Sequence, residues 1–167
     1  NEIMISDMDY IGELNKTFKE TNVSEEFFSK AKSTFIKNGD LIISIKGTIG
    51  KVGILKKDLI NTIPGPSLCL LRVRKTSLIE AEYIFQYLRS NIGQRMIVHS
   101  SQGATIPFIS IKDLKGLKIP IPDLKEQKIS KRLTKRSKDL IDSIQAMQSE
   151  LDKSIEDGWM IIEKNTS

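Results

Sequence analysis

Lys46-Gly47-Thr48-Ile49-Gly50-Lys51 sets two lysines and a hydroxyl around closely spaced glycines, the composition of a loop that could cradle a phosphate. A magnesium-nucleotide loop needs its lysine directly before a serine or threonine, and a glycine five positions ahead of the second glycine. Here Val52 follows Lys51, and Ile45 stands five positions before Gly50. A dinucleotide fingerprint needs G-x-G-x-x-G opening a helix. Gly47, Gly50 and Gly53 are instead spaced by three and run into the strand-like Val52, Ile54 and Leu55. The stretch therefore reads as a β-hairpin whose glycines supply positive φ at the tip. It would bring Lys46, Thr48 and Lys51 up to the phosphates or groove edges of a nucleic acid. The competing reading is that the glycines exist only to make the turn.

A second polar constellation is Arg95 with Ser100, Ser101, Gln102 and Thr105. Glutamine can bond adenine, and arginine guanine, through paired hydrogen bonds, so these residues are candidate base or backbone contacts. A solvated connection between a helix and a strand competes with that reading. No catalytic residue is assigned. Cys69 is the lone cysteine and sits in the apolar run Leu68 to Leu71, which marks a buried small hydrophobe. His99 is the lone histidine, too little for a zinc site or a charge-relay triad. Asp123, Glu126 and Lys128 lie on the first turn of one helix, where a metal-dependent nuclease needs carboxylates converging from two strands. Ile63-Pro64-Gly65-Pro66 lacks the asparagine and aromatic of an adenine-methylating motif.

The elements that must position these residues form an α/β (α+β) head with short mixed or antiparallel strands, followed by a long C-terminal helix. Residues 1–122 are assigned to the head and 123–160 to the helix. Ile3 and Ile5 alternate as in a strand, and Asn1 to Tyr10 reads like the middle of a domain, so part of the head is expected to precede it. Ser24 caps a short helix over Phe27, Phe28 and Ala31, and Asn38-Gly39-Asp40 is a turn before a strand from Leu41 to Ile45. A further strand covers Leu68 to Val73, and a helix runs from Glu80 to Asn91 with Gly93 as its stop. Ile106 to Ile109 and Leu117 to Ile121 read as strands around a helical turn capped by Ser110.

Asp123 and Glu126 then open the long helix. Ser130, Leu133, Ser137, Leu140, Ile144, Met147, Leu151 and Ser154 alternate spacings of three and four, a heptad seam diluted by three serines. Seven basic residues lie between Lys125 and Lys138, and seven acidic ones between Asp139 and Glu163. That split favours an antiparallel partner helix. Trp159, Ile161 and Ile162 extend the apolar surface. A surface helix packed on its own domain is the competing reading.

The net charge of +5 and pI near 9.2 suit an acidic partner such as nucleic acid. No apolar stretch approaches the ~20 residues of a membrane span, and the N-terminus lacks the regions of a signal peptide. The cytoplasm is the expected compartment.

Three segments together resemble the specificity subunits of type I restriction-modification systems. They are Gly39-Asp40-Leu41-Ile42-Ile43-Ser44 running into the glycine hairpin, Gln102-Gly103-Ala104-Thr105 through Ile109-Ser110, and Leu117-Lys118-Ile119-Pro120-Ile121-Pro122 with Leu124, Glu126 and Gln127. Ile3 to Asp7 resembles that family's I-x-x-x-D strand, and Asp123 replaces its usual second proline. The resemblance implies a non-catalytic target recognition domain that reads double-stranded DNA, with the helix as spacer and coiled-coil arm. Leu133, Leu140, Ile144, Met147 and Leu151 would form the arm's interface with a second recognition unit or a second copy. It also implies methyltransferase subunits and a restriction/translocase subunit as partners, which would use S-adenosylmethionine, ATP and magnesium; this chain would hold no cofactor or metal. The chain would be a half-subunit, a fragment, or part of a fused methyltransferase. A helical adaptor with incidental charge, or an RNA-binding head, are the rival readings.

Overall fold

The computed structural model describes residues 1–8, 20, 22–74 and 78–166. Met8 is thus the last described residue of the expected N-terminal strand region, with positions 9 and 10 outside it.

Leu41, Ile42 and Ile43 are apolar without alternation, the pattern of a strand covered on both faces. They form β2 (Leu41–Ser44), the centre of an antiparallel sheet. On one side lies β3 (Val52–Ile54), with Leu41 opposite Ile54, and on the other β5 (Leu68–Leu71), with Leu41 opposite Leu71. Because side chains alternate along a strand, Leu41 and Ile43 enter one core with Val52, Ile54, Phe85, Leu88, Ile97 and Ile109. Ile42 enters a second with Ile3, Met8, Ile36, Leu55, Leu59 and Leu68.

The N-terminus departs from a simple strand. β1 (Glu2–Ile3) is two residues long and pairs in parallel with β4 (Ile63–Pro64), inside what reads as a Pro/Gly connection. Asp7 then accepts the Met4 N–H at 2.7 Å, and Ile5–Asp7 closes into a 3-10 turn. A short acidic side chain has diverted the backbone from ladder pairing to a local bond. Asp40, the acidic residue of the Gly39-Asp40 turn, is buried. Its carboxylate accepts Arg72 Nε at 2.7 Å, Arg72 Nη2 at 2.6 Å and the Lys37 N–H at 2.6 Å. The hydrogen bond to Asp40 raises the Arg72 pKa, and Arg72 also donates to the carbonyls of Ser33 and Phe35. The fork locks the start of β2 to the exit of β5.

Ser24 caps α1 (Glu25–Ala31) through the Phe27 N–H, as its position predicts. The helix expected over Glu80 to Asn91 is two helices, α2 (Ala81–Arg89) and α3 (Asn91–His99). Ser90 ends the first and caps the second, accepting the Gly93 N–H. Gly93 is no stop. A Cβ there would lie 2.1 Å from the Tyr87 carbonyl, so glycine is what lets α3 start against the end of α2. Ser110 caps α4 (Ile111–Gly116) through the Asp113 N–H. The flanking strands are not formed. Residues 106–109 make only isolated bridges at Phe108, and 117–121 run unpaired, held where the Tyr83 hydroxyl donates to Pro120 O at 2.6 Å. Pro120 has no N–H to give a ladder.

Asp123 accepts the Glu126 N–H at 2.9 Å and starts α5 (Leu124–Thr166). Its 43 residues span about 64 Å at ~1.5 Å each. Only the base of α5 packs on α2; from Asp142 to Met160 every side chain is exposed.

Candidate nucleic-acid interface

The glycine hairpin forms as its sequence predicts. Gly47 and Gly50 have φ of +75° and +79°, and at its base the Ser44 N–H donates to Lys51 O while the Lys51 N–H donates to the Ser44 hydroxyl oxygen. Gln94 of α3 reaches across with Nε2 to Gly50 O at 2.8 Å and Leu88 O at 2.7 Å, fixing the hairpin to the helices. Lys46 and Thr48 are exposed. Lys51 is turned the other way: its amine donates to the carbonyls of Ile5, at 3.2 Å, and Met8. It therefore ties the N-terminal turn to the hairpin, a structural role the sequence reading missed.

The polar run after α3 returns to this hairpin. Phe108 exchanges two backbone bonds with Gln102, at 2.7 and 2.8 Å. On its other side Gly47 donates to Pro107 O and Ile109 to Ile45 O, each at 2.9 Å, which makes Lys46 and Phe108 a non-hydrogen-bonded pair. Directly paired residues project to the same face of a sheet. Lys46, Phe108 and Gln102 thus form one transverse row, and all three are exposed. Their chain neighbours Ile45 and Ile109 point the opposite way, into the core.

Two sequence-separated candidates are thereby merged into one ribbon. Gln102 Nε2 donates to Asp113 Oδ2 at 3.1 Å, and the same oxygen accepts Ser110 Oγ at 2.6 Å, so the cap of α4 orients the glutamine. Gly103, at φ +88°, turns the chain between Gln102 and the exposed Thr105. Ser100 and Ser101 are half-buried at the end of α3, where the Ser101 hydroxyl donates to Val98 O. Arg95 is exposed on α3, one turn before His99. Sequence placed Asp113 only in the cap of α4 and Phe108 only as an aromatic near a candidate loop, and assigned neither to the site.

Burial raises the Cys69 thiol, offset only partly by Lys115, so it stays protonated and is a poor nucleophile. Among the described residues no three His, Cys, Asp or Glu side chains group to hold a metal, and no helix is long and apolar enough to cross a membrane.

The arm presents two faces. Gln127 is fully buried, with Nε2 donating to Leu78 O at 2.8 Å and Pro122 O at 2.7 Å while Oε1 accepts the Glu80 N–H. Ser130, expected in the seam, is instead buried beside it and donates to Gln127 O. At about 100° per residue, Leu133, Leu140, Ile144, Met147 and Leu151 fall within an arc of about 60°, turned roughly 90° from the docked face. Each is more than half exposed. Trp159 is exposed too, while the side chains of Ile161 and Ile162 lie outside the described residues.

The chain is a small mixed α/β head carrying an exposed ribbon, with a long helix leaving it as an arm. Residues 6–153 match the family model of the type I restriction modification DNA specificity domain, and the chain belongs to that family. It is 26% identical over 106 residues to the EcoBI specificity subunit of Escherichia coli, covering 63% of this chain and 22% of that one. Identity is 27% over 164 residues to the MjaVIII specificity subunit of Methanocaldococcus jannaschii, covering 92% and 37%. The chain thus spans well under half the length of these relatives. The crystal structure of the HsdS subunit from Thermoanaerobacter tengcongensis shares the fold, with a TM-score of 0.57 and 21% identity over 87% of this chain and 36% of that one. The helical-adaptor reading finds no support among these relatives.

Proposed function

We propose that this chain is one sequence-reading unit of a type I restriction-modification system: residues 1–122 read double-stranded DNA and residues 123–160 set spacing and assembly. The observation that carries the reading is the exposed Lys46–Phe108–Gln102 row, which unites the two polar candidates of a specificity-domain chain on one surface. Lys46 and Thr48 serve the phosphates, Gln102 and Thr105 the base edges, and Arg95, Ser100 and Ser101 flank them. The chain has no catalytic role. Methylation and cleavage fall to methyltransferase and restriction/translocase subunits acting in the cytoplasm with S-adenosylmethionine, ATP and magnesium. The exposed stripe of α5 pairs antiparallel with a second conserved helix, in the same subunit or in a second copy, and so sets the separation of two half-sites.

Anisotropy titration of a fluorescent duplex library at several salt concentrations tests this reading. Binding should weaken steeply as salt rises, and repeated selection should enrich one short sequence. Equal binding of duplexes, RNA and acidic protein would reject it.

A further inference from the structure

The row at the centre of the ribbon contains a ring that nothing in the polar reading uses. Phe108 stays 40% exposed between a lysine and a glutamine. Its neighbours explain how it is held there. A Cβ on Gly103 would lie 2.5 Å from Ile106 O and 3.3 Å from Phe108 Cδ1, so only the bare backbone of glycine lets the turn close beside the ring. Backbone bonds on both sides of residues 107–109 keep the ring from swinging inward. Ile109, one residue on, already fills the core position.

We infer that Phe108 is a specificity-determining residue that reads the 5-methyl group of thymine in the major groove, resting on the duplex-reading role proposed above. Dimensions select the groove. Three bridged segments at ~4.8 Å spacing make a ribbon about 10 Å across. That matches the ~12 Å major groove and exceeds the ~6 Å minor groove. Only the major groove displays the thymine methyl, and an aromatic ring is an apolar partner for it. Gln102 supplies the polar half of the same reading. One of its amide N–H groups is held by Asp113, which leaves one N–H and the carbonyl, the pair that adenine N7 and N6 require. Paired side chains lie about 5 Å apart, between one and two ~3.4 Å steps of the duplex, so Phe108 and Gln102 address base pairs one or two steps apart.

The test uses the full chain and the duplex enriched from a randomised library. Each thymine is replaced singly by deoxyuridine, which removes the methyl and nothing else. At one position binding should weaken about fourfold, the change expected for losing one buried methyl-sized group. Phe108→Ala should bind the thymine and deoxyuridine duplexes equally, whereas Phe108→Leu should keep part of the difference. Circular dichroism checks folding, and Phe108→Ser repeats the measurement if the alanine variant does not fold. An enriched site insensitive to every deoxyuridine, or a sensitivity undiminished in the variants, overturns the inference alone. If no sequence is enriched, it falls together with the reading on which it rests.

Discussion

Gln127 Oε1, one turn into the long helix, accepts the backbone N–H of Glu80 at 2.8 Å, immediately before α2 begins. With its amide nitrogen bonded to Leu78 O and Pro122 O, this buried side chain joins three segments of the chain at the root of the arm. Gln127→Ala would remove the three hydrogen bonds that this fully buried side chain makes. The expected cost is about 2–4 kcal/mol, since each hydrogen bond contributes ~0.5–1.5 kcal/mol. Urea unfolding followed by circular dichroism measures it, and a loss below about 0.5 kcal/mol would contradict this account.

The two hairpin lysines should separate by experiment. Lys46 is exposed in the polar row, whereas the Lys51 amine holds the carbonyls of Ile5 and Met8. Lys46→Ala should shallow the salt dependence of duplex binding by about one unit with stability unchanged. Lys51→Ala should lower the unfolding midpoint and leave the salt slope alone. The reverse pattern would move Lys51 into the interface.

Gly93→Ala should be severe, because its Cβ would meet the Tyr87 carbonyl at 2.1 Å with the Leu88 backbone also closer than 3 Å. Neither neighbour is a flexible side-chain end, so α3 must shift and the loss should reach about 3 kcal/mol. Gly158→Ala is the matched control. It lies in the open on α5 and should raise helix stability by up to about 1 kcal/mol. Thermal melts of the two variants should therefore move in opposite directions.

Replacing Leu140 and Ile144 with Asp should leave the head folded, because both side chains are exposed and the docked face of α5 lies elsewhere. Burying each such side chain against a partner is worth roughly 1.5–3 kcal/mol, so the variant should be monomeric where the unmodified chain self-associates. Light scattering across a concentration series decides this. An unmodified chain that stays monomeric at high concentration would assign the stripe to a different chain.

Much of the architecture was legible locally. Serine caps at Ser24 and Ser110, the Asp123 start of the arm and the glycine hairpin all depend on bonds within a few residues, and all appear as the sequence implies. Misreadings arose where a residue's partner is remote. Gly93 resembles a helix stop until the end of α2 is seen against it, and Ser130 resembles a seam residue until it is found buried beside Gln127 at the docked base of α5.

The sequence by itself determined the family, the division into an α/β head and a helical arm, and the polar stretches available for binding, because motif order, periodicity and capping are written in near neighbours. Tertiary structure alone decided which of those polar residues share a surface. Lys46 and Gln102 lie 56 positions apart, and they meet only because residues 107–109 bond to both of their segments at once. The same packing turned Lys51 away and Phe108 outward. A side chain's direction follows from what its backbone pairs with across the fold, and no local pattern encodes that partner.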